Sequence, residues 1–137
     1  MRKIILIILF TLIYNVKAQK IPTYREVNVC EQEGMAGNFG FKFMGEKEYL
    51  SIIKDFEKKL KKTKNNYPDY YRLYILPSGG NPTDLFVSLI PKSIVPEEDK
   101  KKKDYRVYGS KEILGVYYNL KTKKISKPYR DFILPDL

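Results

Sequence analysis

The stretch Glu46–Lys64 constrains the fold more than any other part of the chain. Tyr49, Ile52, Ile53, Phe56 and Leu60 recur at helical spacing and make one apolar stripe. Glu46 and Glu48 stand at the N-terminal end. Lys58, Lys59, Lys61, Lys62 and Lys64 gather at the other, the order that the helix dipole favours. Asp55–Lys59 and Glu57–Lys61 form i,i+4 pairs, and Asn65, Asn66 and Pro68 end the helix. A helix with one apolar face must cover a sheet or another helix.

The remaining sequence supplies strands. Tyr70–Leu76 and Asp84–Ile90 are rich in β-branched and aromatic residues, and Pro77–Thr83 between them is turn chemistry. Thr23–Val29 and Tyr105–Tyr108 read as shorter strands. Ile113–Leu120 and Lys124–Leu134 read as a hairpin around Lys121-Thr122-Lys123, with Pro128 at a bulge or edge. Gly34, Gly37 and Gly40 read as a flexible connection. Phe39, Phe41 and Phe43 then put three rings on one side of an extended segment, as a core face. The expected fold is α+β, with one long amphipathic helix on an antiparallel sheet of four to six strands.

The first eighteen residues read as an address. Arg2 and Lys3 precede an apolar run, Ile4–Tyr14, broken only by Thr11, and Ala18 provides a small residue before a cut at Gln19. Such a run is too short to span a bilayer. The expectation is a secretory signal over residues 1–18 and a single domain over 19–137, exported to a periplasmic or extracellular space without a transmembrane span. Cys30 is the only cysteine, so no internal disulfide can form, and it reads as a small buried residue.

The chain has no His. Ser-His-Asp and Cys-His catalysis and His-ligated metals are therefore excluded. Ser78-Gly79-Gly80 lacks the lysine and spacing of a phosphate loop and reads as a hairpin turn. Carboxylates remain for acid/base work: Glu31, Glu33, Asp69, Asp84 and the Glu97-Glu98-Asp99 cluster. None lies in a distinctive motif, and no calcium loop is present. No cofactor is expected.

The net charge is +10, and Lys exceeds Arg by 21 to 5. Arg2, Lys3 and Lys17 of the expected signal carry three of these charges, and residues 97–104 balance four acids with four lysines, so the remaining excess of +7 lies in 46–64 (+3) and 111–131 (+4). In the second stretch Lys121, Lys123, Lys124, Lys127 and Arg130 are interleaved with Tyr117, Tyr118 and Tyr129. Adjacent residues of a strand point to opposite faces, so Tyr117 and Tyr118 must part, one to the core and one to the lysines. The mixture suits an acidic protein or an anionic envelope polymer. Nucleic acid is disfavoured by export and by the shortage of Arg.

No family is recognised over the whole chain. The helix, the strand-turn-strand Tyr70–Ile90 and a last strand through Tyr129-Arg130-Asp131-Phe132-Ile133-Leu134 together resemble a TonB C-terminal-type domain. No second helix between the strands, membrane anchor or proline-rich spacer accompanies them, and no residue role is carried over. The functional expectation is a small exported binding or accessory protein, inhibitor-like, immunity-like or an envelope factor. A carboxylate-only hydrolase and a structural subunit of an envelope assembly are the alternatives.

Overall fold

A computed structural model describes residues 24–95, 97 and 112–131. The expected signal segment, the strand Tyr105–Tyr108, residues 98–104 of the charged run and the final residues 132–134 of the last expected strand lie outside these.

The described chain is α+β, with a six-stranded mixed sheet and two helices. Strands β1 (Tyr24–Val29) and β2 (Gln32–Gly37) lead into helices α1 (Asn38–Met44) and α2 (Glu46–Lys61). Then come β3 (Tyr70–Ile75), β4 (Asp84–Pro91), a 3-10 turn at Lys92–Ile94, β5 (Leu114–Asn119) and β6 (Tyr129–Arg130). Spatial order follows chain order, and every neighbouring pair is antiparallel except β2 and β3. The expected all-antiparallel sheet is corrected at that one seam. The helical pair carries the chain back to the end of the sheet where β2 began, and a return of that kind makes the next strand parallel.

The apolar stripe of α2 lies where its periodicity puts it. Tyr49, Ile53, Phe56 and Leu60 are buried against Tyr74, Leu85, Val87, Leu89, Val116 and Tyr118 of the sheet. Each such side chain contributes about 1.5–3 kcal/mol on leaving water. Phe56 meets the rings of Tyr74 and Tyr118 edge-on, with centroids 6.3 Å and 6.1 Å away. A second cluster, Met35, Tyr71, Leu73, Ile90, Val95 and Ile113, is buried on the opposite face of the sheet.

Four expectations are corrected by packing. The glycine-rich stretch is no loose connection, since Gly34 belongs to β2 and opens the way for β3. A Cβ there would come within 2.5 Å of the Arg72 carbonyl oxygen. Phe39, Phe41 and Phe43 are helical rather than extended. Phe39 and Phe43, one turn apart, stack at 5.5 Å, whereas Phe41 turns inward onto Tyr49 at 4.9 Å. Cys30 is exposed at the tip of the β1–β2 hairpin, not buried. Glu57 does not reach out to Lys61. It is 3% exposed, takes an ion pair from Arg72 Nε at 3.1 Å, and accepts the Tyr74 hydroxyl at 2.6 Å.

That pair is fully used. Arg72 also donates to the carbonyls of Asn66, Tyr67 and Tyr70, which closes the connection from α2 into β3. Burial, and then the Glu57 charge, hold the Tyr74 hydroxyl well above the ordinary phenol range. Tyr74 is therefore a neutral donor to Glu57. Among the described residues, no helix is long and apolar enough to cross a membrane.

Candidate binding surface

The turn between β5 and β6 is built by Asn119. Its side-chain oxygen accepts the amides of Lys121 and Thr122, and its carbonyl accepts that of Lys123. Closing the turn forces Lys123 to φ 60°, a left-handed conformation unusual for lysine. Asn119 Nδ2 also donates to Asp84, and the Leu120 amide donates to Thr83 O at 2.9 Å. The basic turn is thereby fastened to the Pro77–Thr83 loop, and the two share one end of the sheet.

Tyr118 and Tyr117 diverge as alternation requires. Tyr118 is buried in the helix-facing layer with its hydroxyl donated to Asp55, so it forms no part of an open surface. Tyr117 is 46% exposed on the other face. Ile125 to Tyr129 is five residues set against the four from Gly115 to Tyr118, since Tyr118 pairs with Ile125 and Gly115 with Tyr129. Pro128 lies in that bulge.

The bulge brings Tyr129 over Gly115, where a Cβ would come within 2.6 Å of the ring. Tyr117 and Tyr129 stack at 5.6 Å with planes 17° apart, and Phe86 continues the row at 5.2 Å from Tyr117. Burial, then the neighbouring Tyr117 and Asp131, keep the Tyr129 hydroxyl above the ordinary phenol range and neutral. Asp131 is fixed in turn by the Ser88 hydroxyl at 3.0 Å.

The basic residues divide. Lys121, Lys124, Lys127 and Arg130 are exposed along the turn and the outer strand. Lys123, also exposed, is held toward α2. Lys59 Nζ donates to its carbonyl at 2.6 Å, and the ammonium groups of Lys59 and Lys123 lie 5.8 Å and 5.9 Å from the Tyr118 ring. The hydrogen bond from Tyr118, with the charges of Lys59 and Lys123, pulls the Asp55 carboxyl below its ordinary range. Lys123 is thus half surface and half strut.

Two features escaped the sequence reading. Phe86 joins the aromatic row because its register partner is Tyr117, a pairing readable only once β4 and β5 are known to be neighbours. The Pro77–Thr83 loop, read only as a turn, walls a groove of about 240 Å³ together with Tyr117.

The candidate carboxylates scatter. Glu31 lies in the β1–β2 turn, Asp69 precedes β3, and Asp84 is held by Thr83 and Asn119. Glu33 and Glu97 do come together with Glu26 around a cleft of about 410 Å³ that Tyr71 also lines. Burial and the charges of Glu26, Glu33 and Glu97 hold the Tyr71 phenol well above its usual range. Glu98 and Asp99 lie outside the described residues. No group of three or more acidic or cysteine side chains among the described residues is arranged to hold a metal ion. Comparison with protein-family models, curated proteins and solved structures finds no match.

Proposed function

We propose that this chain is an exported binding protein that engages an acidic partner through the face carrying Tyr117 and Tyr129, flanked by Lys121, Lys124 and Lys127; Arg130, which alternates with Tyr129 and pairs with Leu114, belongs to the helix-facing side. The observation that supports the reading most is the exposed Tyr117–Tyr129 stack beside the exposed Lys121, Lys124 and Lys127. Aromatic rings left open on a sheet face, with basic side chains beside them, are a common composition of an interaction surface. Tyr118 has no contact role in this reading.

Binding kinetics of the purified chain with polyglutamate and polygalacturonate, at two salt concentrations, test it. Charge attraction acts chiefly on the association rate. Replacing Lys121 and Lys124 by Glu should slow association about tenfold or more and flatten its salt dependence, with an unchanged melting temperature. Unaltered association together with greater aggregation would assign these lysines to protecting the outer strand, and would overturn the reading.

The Glu26–Glu33–Glu97 cleft supports a second reading, a carboxylate-only hydrolase, because a concavity bringing acids together is what such chemistry requires. Release of reducing ends from soluble polysaccharides, abolished by Glu33→Gln, would favour it.

A further inference from the structure

We infer that two copies of this chain pair through β1, edge to edge and antiparallel, about a twofold axis at Val27. β1 ends the sheet, and among the described residues no strand lies on its outer side. Exposed edges are ordinarily blunted by Lys, Pro, a bulge or shortness. β6 has that protection, being two residues long with Lys127 and Pro128 just before it in the bulge. β1 instead runs six residues in unbroken register with β2, without Lys or Pro. The helices do not close it off. A groove of about 200 Å³ follows Arg25–Val29, walled on the helix side by Phe41, Glu46 and Leu50. Arg25 is drawn onto the Phe41 ring, 4.3 Å from its centroid, and so does not bar the edge.

The hairpin decides which backbone groups face outward. Cys30 and Glu31 form a two-residue turn, so Val29 and Gln32 on either side of it are bonded to each other. Bonding direction alternates along an antiparallel strand. Arg25, Val27 and Val29 therefore spend their amides and carbonyls on β2, while Glu26 and Asn28 aim theirs at the open edge. Side chains alternate too, with Val27 and Val29 on the helix side. A twofold axis must keep helix side on helix side, so it passes through a residue and not between two. At Glu26 it would set like charges directly opposite, which is unfavourable. At Asn28 it would leave Arg25 beyond the end of the facing strand. At Val27 the Glu26 of each copy becomes a bonded pair with Asn28 of the other, and their side chains, a carboxylate acceptor and an amide donor, lie opposite. Val27 then meets Val27, and Arg25 meets Val29. That self-complementarity in charge and bonding selects a second copy over another extended chain.

Sedimentation of the purified chain over a concentration series, joined to cysteine cross-linking, tests the pairing. A reversible monomer–dimer equilibrium should appear, and dilution should return β1 to a free edge. Asn28→Pro removes an outward amide and no bond to β2. It should leave the melting temperature unchanged and raise the dimer dissociation constant about tenfold or more. In a Cys30→Ser background, Val27→Cys should link two copies on mild oxidation, because opposite residues of an unbonded pair bring their Cα atoms to about 4.5 Å. Glu26→Cys, offset from its counterpart, should link far more slowly. If Asn28→Pro fails to fold, the two cysteine variants decide alone. A chain that stays monomeric at millimolar concentration, or faster linking through Glu26→Cys than through Val27→Cys, would overturn the inference. So would dimers that folded Asn28→Pro leaves intact, since their contact would lie on another surface.

Discussion

Arg72 and Glu57 meet inside the core, both all but inaccessible to water, on elements separated by the whole α2–β3 connection. Taking either charge away strands the other. Glu57→Leu or Arg72→Met alone should cost about 3–5 kcal/mol. The double variant should lose less than the sum of the two, because neither charge is left unpaired, while the carbonyls of Asn66, Tyr67 and Tyr70 and the Tyr74 hydroxyl still lose their partners. Denaturant unfolding of the three proteins checks it. Additive losses would mean that the pair does not act as a unit.

Gly115 gives a test of the aromatic row that leaves the core alone. Its close neighbour is the far end of the Tyr129 side chain, which can swing away, so Gly115→Ala should fold. The variant should nevertheless lose the Tyr117–Tyr129 stack and weaken partner binding several-fold. Gly34→Ala behaves differently, because the obstacle there is the backbone of Arg72. It should cost at least about 1–3 kcal/mol as an overpacked core site.

The β1–β2 turn holds Cys30 at φ 52° and Glu31 at φ 65°. Both values belong to a two-residue hairpin turn that favours Asn-Gly. Cys30→Asn with Glu31→Gly should therefore raise stability, by about 1 kcal/mol, and the melting temperature reports it.

Acid and alkali should act through different groups. Asp55 is depressed by the Tyr118 hydrogen bond and by Lys59, relative to an ordinary value of 3.8. Its folded form binds a proton more weakly than its unfolded form. The stability it contributes is present above about pH 4 and is lost as the pH falls through the lowered value. Tyr49, Tyr71, Tyr74 and Tyr118 are raised above an ordinary 10.0, chiefly by burial. Their folded forms hold the proton more tightly, so stability falls as the pH climbs past about 10. The phenolate absorbance contributed by these four should rise together with unfolding rather than before it. A smooth titration of these tyrosines in the folded protein would contradict the burial argument.

How much of this was legible depended on how far apart the deciding residues lie. The stripe of α2, strands β3 and β4 and the loop between them follow from neighbours within a few positions, and so did the divergence of Tyr117 from Tyr118. Gly34 was misread because the reason for a glycine there is Arg72, on a strand reached only after two helices. Glu57 looked like a surface residue for the same cause, since its i,i+4 lysine is visible in sequence and its true partner is not. Lys59 reads in sequence as an exposed i,i+4 partner of Asp55. Its bond to the Lys123 carbonyl makes Lys59→Ala a probe of how the β5–β6 turn is anchored. Within the candidate surface, the basic and tyrosine residues were readable as composition. The contribution of Phe86 and the groove required the β4–β5 register.

The parallel seam between β2 and β3 spans three residue pairs, Gly34–Arg72, Met35–Leu73 and Ala36–Tyr74, whereas β3 to β5 are laced by six at each junction. Its closure must also wait for both helices, whereas β3 and β4 join through the short loop that contains Pro77–Thr83. The molecule is therefore divided like a hinged cover on a frame. The β1–β2 hairpin, with its left-handed tip, forms the cover. Amide hydrogens of β1 and β2 should exchange together and ahead of those in β3 and β4, through an opening that leaves the binding end of the sheet intact. A partner held at Tyr117 would slow exchange in β4 and β5 and leave the cover free to lift.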